Sequence, residues 1–366
     1  MRVVAAPDSF KGSIGAAAAA AALAAGWRQL RPGDDVVELP LADGGEGTMA
    51  VLAAATPASR WHTAQVSGPG EAPVVAAWLE LAGNGAVIEL AAAAGLPLLA
   101  ELIPLTAHSY GVGELIGLAL DAGMRHIDVA LGGSACTDGG TGALAALGAR
   151  FLDSDGRELP RGGGALRRLA AVDLSGLRPP PPGGTSCLTD VRAPLLGPGG
   201  AAAVFGPQKG AHPPDIAVLD AGLGRLASLL GGDPDAPGAG AAGGCGYGLA
   251  AAWGAGLLPG AAQIAAIAGL PDALASADLV LTGEGQYDAT SLGGKVVGAV
   301  LAAAMAARVP AAIVAGRVAE PPPAWVHAVD LTTLAGSAEA AIREPARWLT
   351  EAGRRLAADA GLAVLD

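Results

Sequence analysis

Five short apolar runs constrain this fold most, because of where they stand in the chain. RVVAA (2–6) and VVEL (36–39) lie near the start, while LVLT (279–282), AAIVA (311–315) and AVDLTTL (328–334) lie near the end. Each reads as a buried parallel strand. Helical stretches follow four of them: 14–30 with Ser13 as N-cap, 48–55, 295–307, and Ala338 onward. Such alternation builds a parallel sheet with helices on both faces. The segment between the second and third strands is far too long for one crossover. It also reads differently, with PVVAAWLEL (73–81) and GAVIEL (85–90) joined as a hairpin by AGN. HIDVAL (126–131) and TSCLTDV (185–191) are further strand candidates, with helices near 111–122 and 142–149. The expected fold is α/β: a discontinuous five-stranded domain formed by 1–64 plus 275–366, carrying a second, inserted α/β domain over 65–274. The Pro- and Gly-rich stretches 178–184 and 231–248 are expected to be loops within the insert.

Composition narrows the partners. A net charge of −12 with only 22 Lys and Arg argues against nucleic acid and against an anionic membrane surface. The alanine run at 16–22 is too short to span a bilayer, and the N-terminal apolar run breaks at Pro7 and Asp8, short of a signal-peptide core. A soluble, cytoplasmic protein is expected. Cys136, Cys187 and Cys245 are far apart and fit neither a disulfide framework nor a zinc site.

Charge is scarce at 15% of residues, yet it gathers where strands end. The first strand runs into APDSFKGS (6–13), the second into LADGGEGT (41–48) and the third into TGEGQYDATSLGGK (282–295). In an open α/β sheet, ligands bind beyond the carboxyl ends of strands, where strand order reverses. Asp8, Lys11, Asp43, Glu46, Glu284, Asp288 and Lys295 are therefore candidates for one site, against the plainer reading of solvated loop tips. Carboxylates, lysines and glycine backbone together suit phosphoryl transfer: N–H groups and ammonium meet phosphate, and carboxylates hold Mg²⁺ or orient a hydroxyl. No GxxxxGK[ST] is present, since Val296 follows GGK (293–295). GAGAAG (238–243) matches GxGxxG but follows no strand, and is read as a mobile loop. LGGSACTDGGTG (131–142) offers Ser134 and Asp138, FGPQKGA (205–211) offers Gln208 and Lys209, and Asp190 ends a strand.

APDSFKGS, ADGGEGT, YGVGELI (110–116), GGSACTDGG, AAAVFGPQKGA (201–211), GAGAAGG and TGEGQYD…GGK occur in the order found in the two-domain bacterial glycerate kinases, and the chain resembles that family over about residues 1–335. The resemblance implies a flavodoxin-like domain with an inserted α/β domain. It also implies transfer of the ATP γ-phosphate to D-glycerate with Mg²⁺, giving 2-phosphoglycerate. On this footing Lys11 and Lys295 neutralise phosphate charge, and Asp43, Glu46 and Glu284 hold the metal. Asp190 or Asp288 accepts the substrate's hydroxyl proton, while Asp8, Ser9, Gly44, Gly45, Ser134, Asp138 and Gly283 bind the nucleotide or shape its site. The chain departs from the family pattern at Thr137 and Ala193, each in place of Asn, and at Gln286 in place of Arg. Losing a guanidinium loses a bidentate anion binder, so a kinase for another small hydroxy acid is the alternative. A non-catalytic small-anion sensor on the same fold is the other. The sequence is silent on oligomeric state; a homodimer stays open.

Overall fold

A computed structural model of the chain describes residues 1–70 and 72–360. In chain order its strands are β1 (Arg2–Ala5), β2 (Asp35–Glu38), β3 (Arg60–Ser67), β4 (Pro73–Leu81), β5 (Gly85–Glu89), β6 (His126–Ala130), β7 (Arg150–Leu152), β8 (Ala171–Asp173), β9 (Thr185–Leu188), β10 (Gly256–Leu258), β11 (Leu279–Tyr287), β12 (Ala311–Val318) and β13 (Val326–Asp330). The chain divides into two compact units. The first comprises Met1–Asp43, Ala50–Ala55 and the chain from Pro259 onward, and the second Gly44–Met49 and Thr56–Leu258. The borders expected at 64/65 and 274/275 fall inside β3 and at the end of the helix Leu270–Leu274.

The first unit holds one sheet in the order β13-β12-β11-β1-β2, with every neighbouring pair parallel. β1 leads to β2 on one side while β11 pairs on its other side, so strand order reverses between β1 and β11. The helix Ala16–Leu30 is built from alanine, the best helix former, and buries Ala19, Ala20, Leu23 and Trp27. It lies against the helix Pro345–Asp359 so closely that a Cβ on Gly26 would sit 1.8 Å from the Thr350 carbonyl oxygen. Its N-cap is Gly15 and not Ser13, whose N–H instead turns back to the Phe10 carbonyl. The last apolar run also divides. β13 stops at Asp330, whose Oδ1 accepts the Thr333 N–H and starts the helix Leu331–Ala335, while Oδ2 accepts the Val318 N–H.

The second unit contains a six-stranded sheet, β10-β9-β6-β5-β4-β3, and the small β7–β8 pair. β10, β9, β6 and β5 run parallel, and β4 and β3 are added as antiparallel hairpins. The segment 178–184 is a loop, as expected. The glycine-rich segment is not a mobile loop. Residues 239–249 are buried; Ala242, Gly243 and Gly244 take left-handed backbone conformations at a kink, and beyond them the chain runs as a helix to Trp253. Glycine is needed there for contact: a Cβ on Gly243 would lie 2.2 Å from the Cys136 carbonyl oxygen. All three cysteines are free and buried in this unit. Among the described residues no helix is long and apolar enough to cross a membrane.

Candidate active site

In the first unit the site begins where β1 ends. Pairing continues past the strand, with the Ala6 N–H donating to the Leu281 carbonyl at 2.7 Å and the Asp8 N–H to the Gly283 carbonyl at 2.8 Å. Asp8 is thereby held beside β11, at the point of strand reversal. Its side chain is buried, and burial together with the nearby Asp43 pushes its pKa up to about 7. The Ser9 N–H, donating to Asp8 Oδ1 at 2.6 Å, and the charge of Lys11 act in the opposite direction. Lys11 is 83% exposed and stands 3.9 Å from Asp43.

Glu284 comes from the strand itself. β11 runs on beside β12 as far as Tyr287, so Glu284 sits on paired backbone and not on a loop. It is buried, which raises its pKa; Ser291 and Lys295, whose Nζ is 3.8 Å away, lower it, and Asp288 and Asp43 raise it further. Among the described residues Glu284 Oε1 is buried without a hydrogen-bond partner. Lys295 is the N-cap residue of the helix Val296–Ala307, so its ammonium and the positive end of that helix dipole share one locality. Asp288 differs from its neighbours. Its carboxylate accepts from the Thr290 N–H, the Thr290 hydroxyl and Gln286 Nε2, and these bonds pull its pKa down to about 2.

The second unit arranges the remaining candidates. Gly44 has φ +87°, and a Cβ there would lie 2.9 Å from the Leu188 carbonyl oxygen at the end of β9. A Cβ on Gly132 would meet Gly45 Cα at 2.4 Å, and the Gly132 N–H donates to the Gly44 carbonyl. The ADGGEGT loop thus packs backbone to backbone on the ends of β6 and β9, with Asp190 two residues beyond Leu188. Glu89 ties the loop down: its buried carboxylate accepts the Met49 N–H at 2.7 Å and a bond from Gly47. Burial raises the Glu89 pKa, and Glu46 acts on it as a like charge.

Not all the residues expected in the site are open to a ligand. Asp138 is fully buried and accepts from the Ser109 N–H, the Ser109 hydroxyl and the N–H groups of Gly140 and Gly142. It organises its own loop. Gly283 is buried within β11, where a Cβ would come 2.1 Å from the Val314 carbonyl oxygen. Ser134, by contrast, is half-exposed, and its hydroxyl accepts from Lys209 Nζ at 2.9 Å. The first unit therefore brings Asp8, Ser9, Lys11, Asp43, Glu284, Asp288 and Lys295 together. Gly44, Gly45, Glu46, Ser134, Asp138 and Asp190 belong to the second. Among the described residues no three His, Cys, Asp or Glu side chains gather to hold a metal by themselves. Glu89 and Ser291 escaped the sequence reading, Glu89 because it looks like any strand-end residue; Lys209 stands among the sequence candidates, but nothing in FGPQKGA marks it as internal.

Carboxylates and two lysines thus stand at the switch point of a parallel α/β sheet, the place where sheets of this class bind their ligands. The sequence model of the glycerate kinase family matches residues 3–360. A glycerate kinase of Bacillus subtilis (strain 168) is 40% identical, covering 99% of this chain and 98% of its own. The glycerate 2-kinase of Escherichia coli (strain K12) is 42% identical over 81% of this chain and 80% of its own. A crystal structure of a glycerate kinase 2 from Salmonella typhimurium LT2 superimposes with a TM-score of 0.83 at 39% identity, covering 99% of this chain and 98% of that one. The chain belongs to the glycerate kinase family, and it is a kinase: a phosphotransferase with an alcohol group as acceptor.

Proposed function

We propose that the chain transfers the γ-phosphoryl group of ATP to D-glycerate and forms 2-phosphoglycerate. The observation that carries this reading is the switch-point cluster of the first unit, in a chain of this family. Lys11 and Lys295 supply positive charge for phosphoryl oxygens, and the helix that Lys295 opens adds N–H donors. Mg²⁺ fits the carboxylates present. Such an ion is commonly held by one or two carboxylates plus substrate phosphates, which needs no complete protein cage. The unpartnered buried oxygen of Glu284 and the adjacent Asp43 suit that demand. When bound, the ion would screen phosphate charge.

Of the two aspartates considered for the hydroxyl proton, Asp288 is a poor acceptor, since three donors hold it ionised down to about pH 2. Asp190 is the one this reading retains. Gln286 spends its amide on Asp288, so where relatives of the resemblance carry a guanidinium this chain has a neutral contact that organises a turn. The reading is tested by a phosphorus NMR spectrum of the protein with ATP, Mg²⁺ and D-glycerate, beside a control without glycerate. A 2-phosphoglycerate resonance rising with ADP is the expected result. A 3-phosphoglycerate resonance would correct the position, and unchanged ATP would reject the acceptor.

A further inference from the structure

Lys209 is the only buried lysine or arginine among the described residues. It ends the short helix Pro207–Lys209, and its ammonium donates to the Cys136 carbonyl at 2.6 Å and to the Ser134 hydroxyl at 2.9 Å. It forms no ion pair among the described residues; the charge of Asp138 favours the ammonium, but that carboxylate is hydrogen-bonded by Ser109, Gly140 and Gly142. Withdrawing an ammonium from water without a paired carboxylate is costly, and an apolar side chain would fill the space without that cost. The charge therefore points to a task. Ser134 receives an N–H on its oxygen, so its single proton must point elsewhere, and this residue is half-exposed next to the exposed Gly133. A hydroxyl that offers its proton outward with an ammonium directly behind it is a directed donor for an anionic oxygen.

We infer that Ser134 is the contacting group of an anion subsite and that Lys209 is its positioning residue, acting through the Ser134 hydroxyl. The ligand chemistry is an anionic oxygen, either a carboxylate or a phosphoryl oxygen. The inference rests on the kinase reading only for which anion is supplied.

The test is calorimetric titration of the folded wild type, S134A, S134T, K209M and the S134A/K209M double variant, each with D-glycerate, ADP and inorganic phosphate in turn. S134A and K209M should each weaken one of these ligands by roughly tenfold or more, as loss of a charge-assisted hydrogen bond does. S134T should retain affinity. The double variant should be no weaker than S134A, because Lys209 has nothing to act through once the hydroxyl is gone. A loss confined to glycerate assigns the carboxylate, and a loss confined to ADP or phosphate assigns the phosphoryl group. Lys209 serving the fold alone would lower the melting temperature of K209M and leave affinity intact, which overturns the inference. Multiplying effects in the double variant, or wild-type affinity in S134A for all three ligands, overturn it too. Should K209M not fold, S134A against S134T still decides. Wild-type glycerate turnover is scored separately, so turnover without any Ser134 effect sinks this inference alone. An anion effect without glycerate turnover sinks the proposed glycerate acceptor alone.

Discussion

Two groups of buried carboxylates in this chain are treated in opposite ways. Asp138, in the second unit, is surrounded by donors from Ser109, Gly140 and Gly142. Asp8 and Glu284, in the first, are buried with a like charge nearby, and among the described residues Glu284 keeps one oxygen without a hydrogen-bond partner. A folded chain meets nearly all of its buried polar groups, because each one left unmet costs stability. Satisfaction marks architecture, as at Asp138. Incomplete satisfaction at a strand reversal marks a place reserved for something else, and the two sets can be separated by substitution.

The largest effect should come from the satisfied side. Asp138→Ala strands several buried donors together and should destabilise the second unit by more than about 3 kcal/mol, read as a shifted urea midpoint. Asp8→Asn should do the reverse for stability. In the unfolded chain Asp8 ionises near its usual 3.8, and in the fold near 7, so between these values only the folded state keeps the proton. Wild-type stability, without nucleotide or metal, should therefore fall as pH rises from 4 to 7 and level off above. The gap corresponds to at most ~4 kcal/mol. Asp8→Asn should flatten that slope and be the more stable protein at pH 8, while losing turnover; a variant no more stable at pH 8 would show Asp8 to be well accommodated as an anion.

Smaller effects sharpen the contrast. Lys295→Met should cut turnover by about a hundredfold, in line with removal of one electrostatic contact to a transition state, and change the melting temperature little. Lys11→Ala, at an exposed position, should lower turnover with no change in unfolding; unchanged turnover would remove it from the site. The smallest is Ser13→Ala, expected to shift stability by less than about 0.5 kcal/mol because Gly15 holds the cap position.

Much of this was legible in the sequence. Buried parallel strands are continuous aliphatic runs, so β1, β11 and β12 stand out, and polar loops following them point to the ligand end of the sheet; β2 is an edge strand that buries only Val36, yet its VVEL reads the same way. What escaped has physical reasons. β3 reads RWHTAQVS, a hairpin strand with most of its outer face in water, so it carries no apolar run. The helix after β13 depends on one aspartate bonding both ways, which composition cannot reveal. The glycines at 238–244 look flexible as letters, but they are small because other backbone lies against them. Asp138 and Asp8 are equivalent in the sequence, each an aspartate in a glycine- or serine-rich loop. Only the count of donors around them tells one from the other.

The three cysteines, all in the second unit, are sealed away from solvent, and burial raises the pKa of each thiol. A thiolate is the reactive species, so alkylating reagents and mild oxidants should leave the native enzyme untouched. Labelling with a chromogenic disulfide then becomes a clock for the opening of that unit alone, since the first unit has no sulfhydryl to react. Ligands that lengthen the labelling half-life could thus be assigned to one half of the molecule without introducing any reporter.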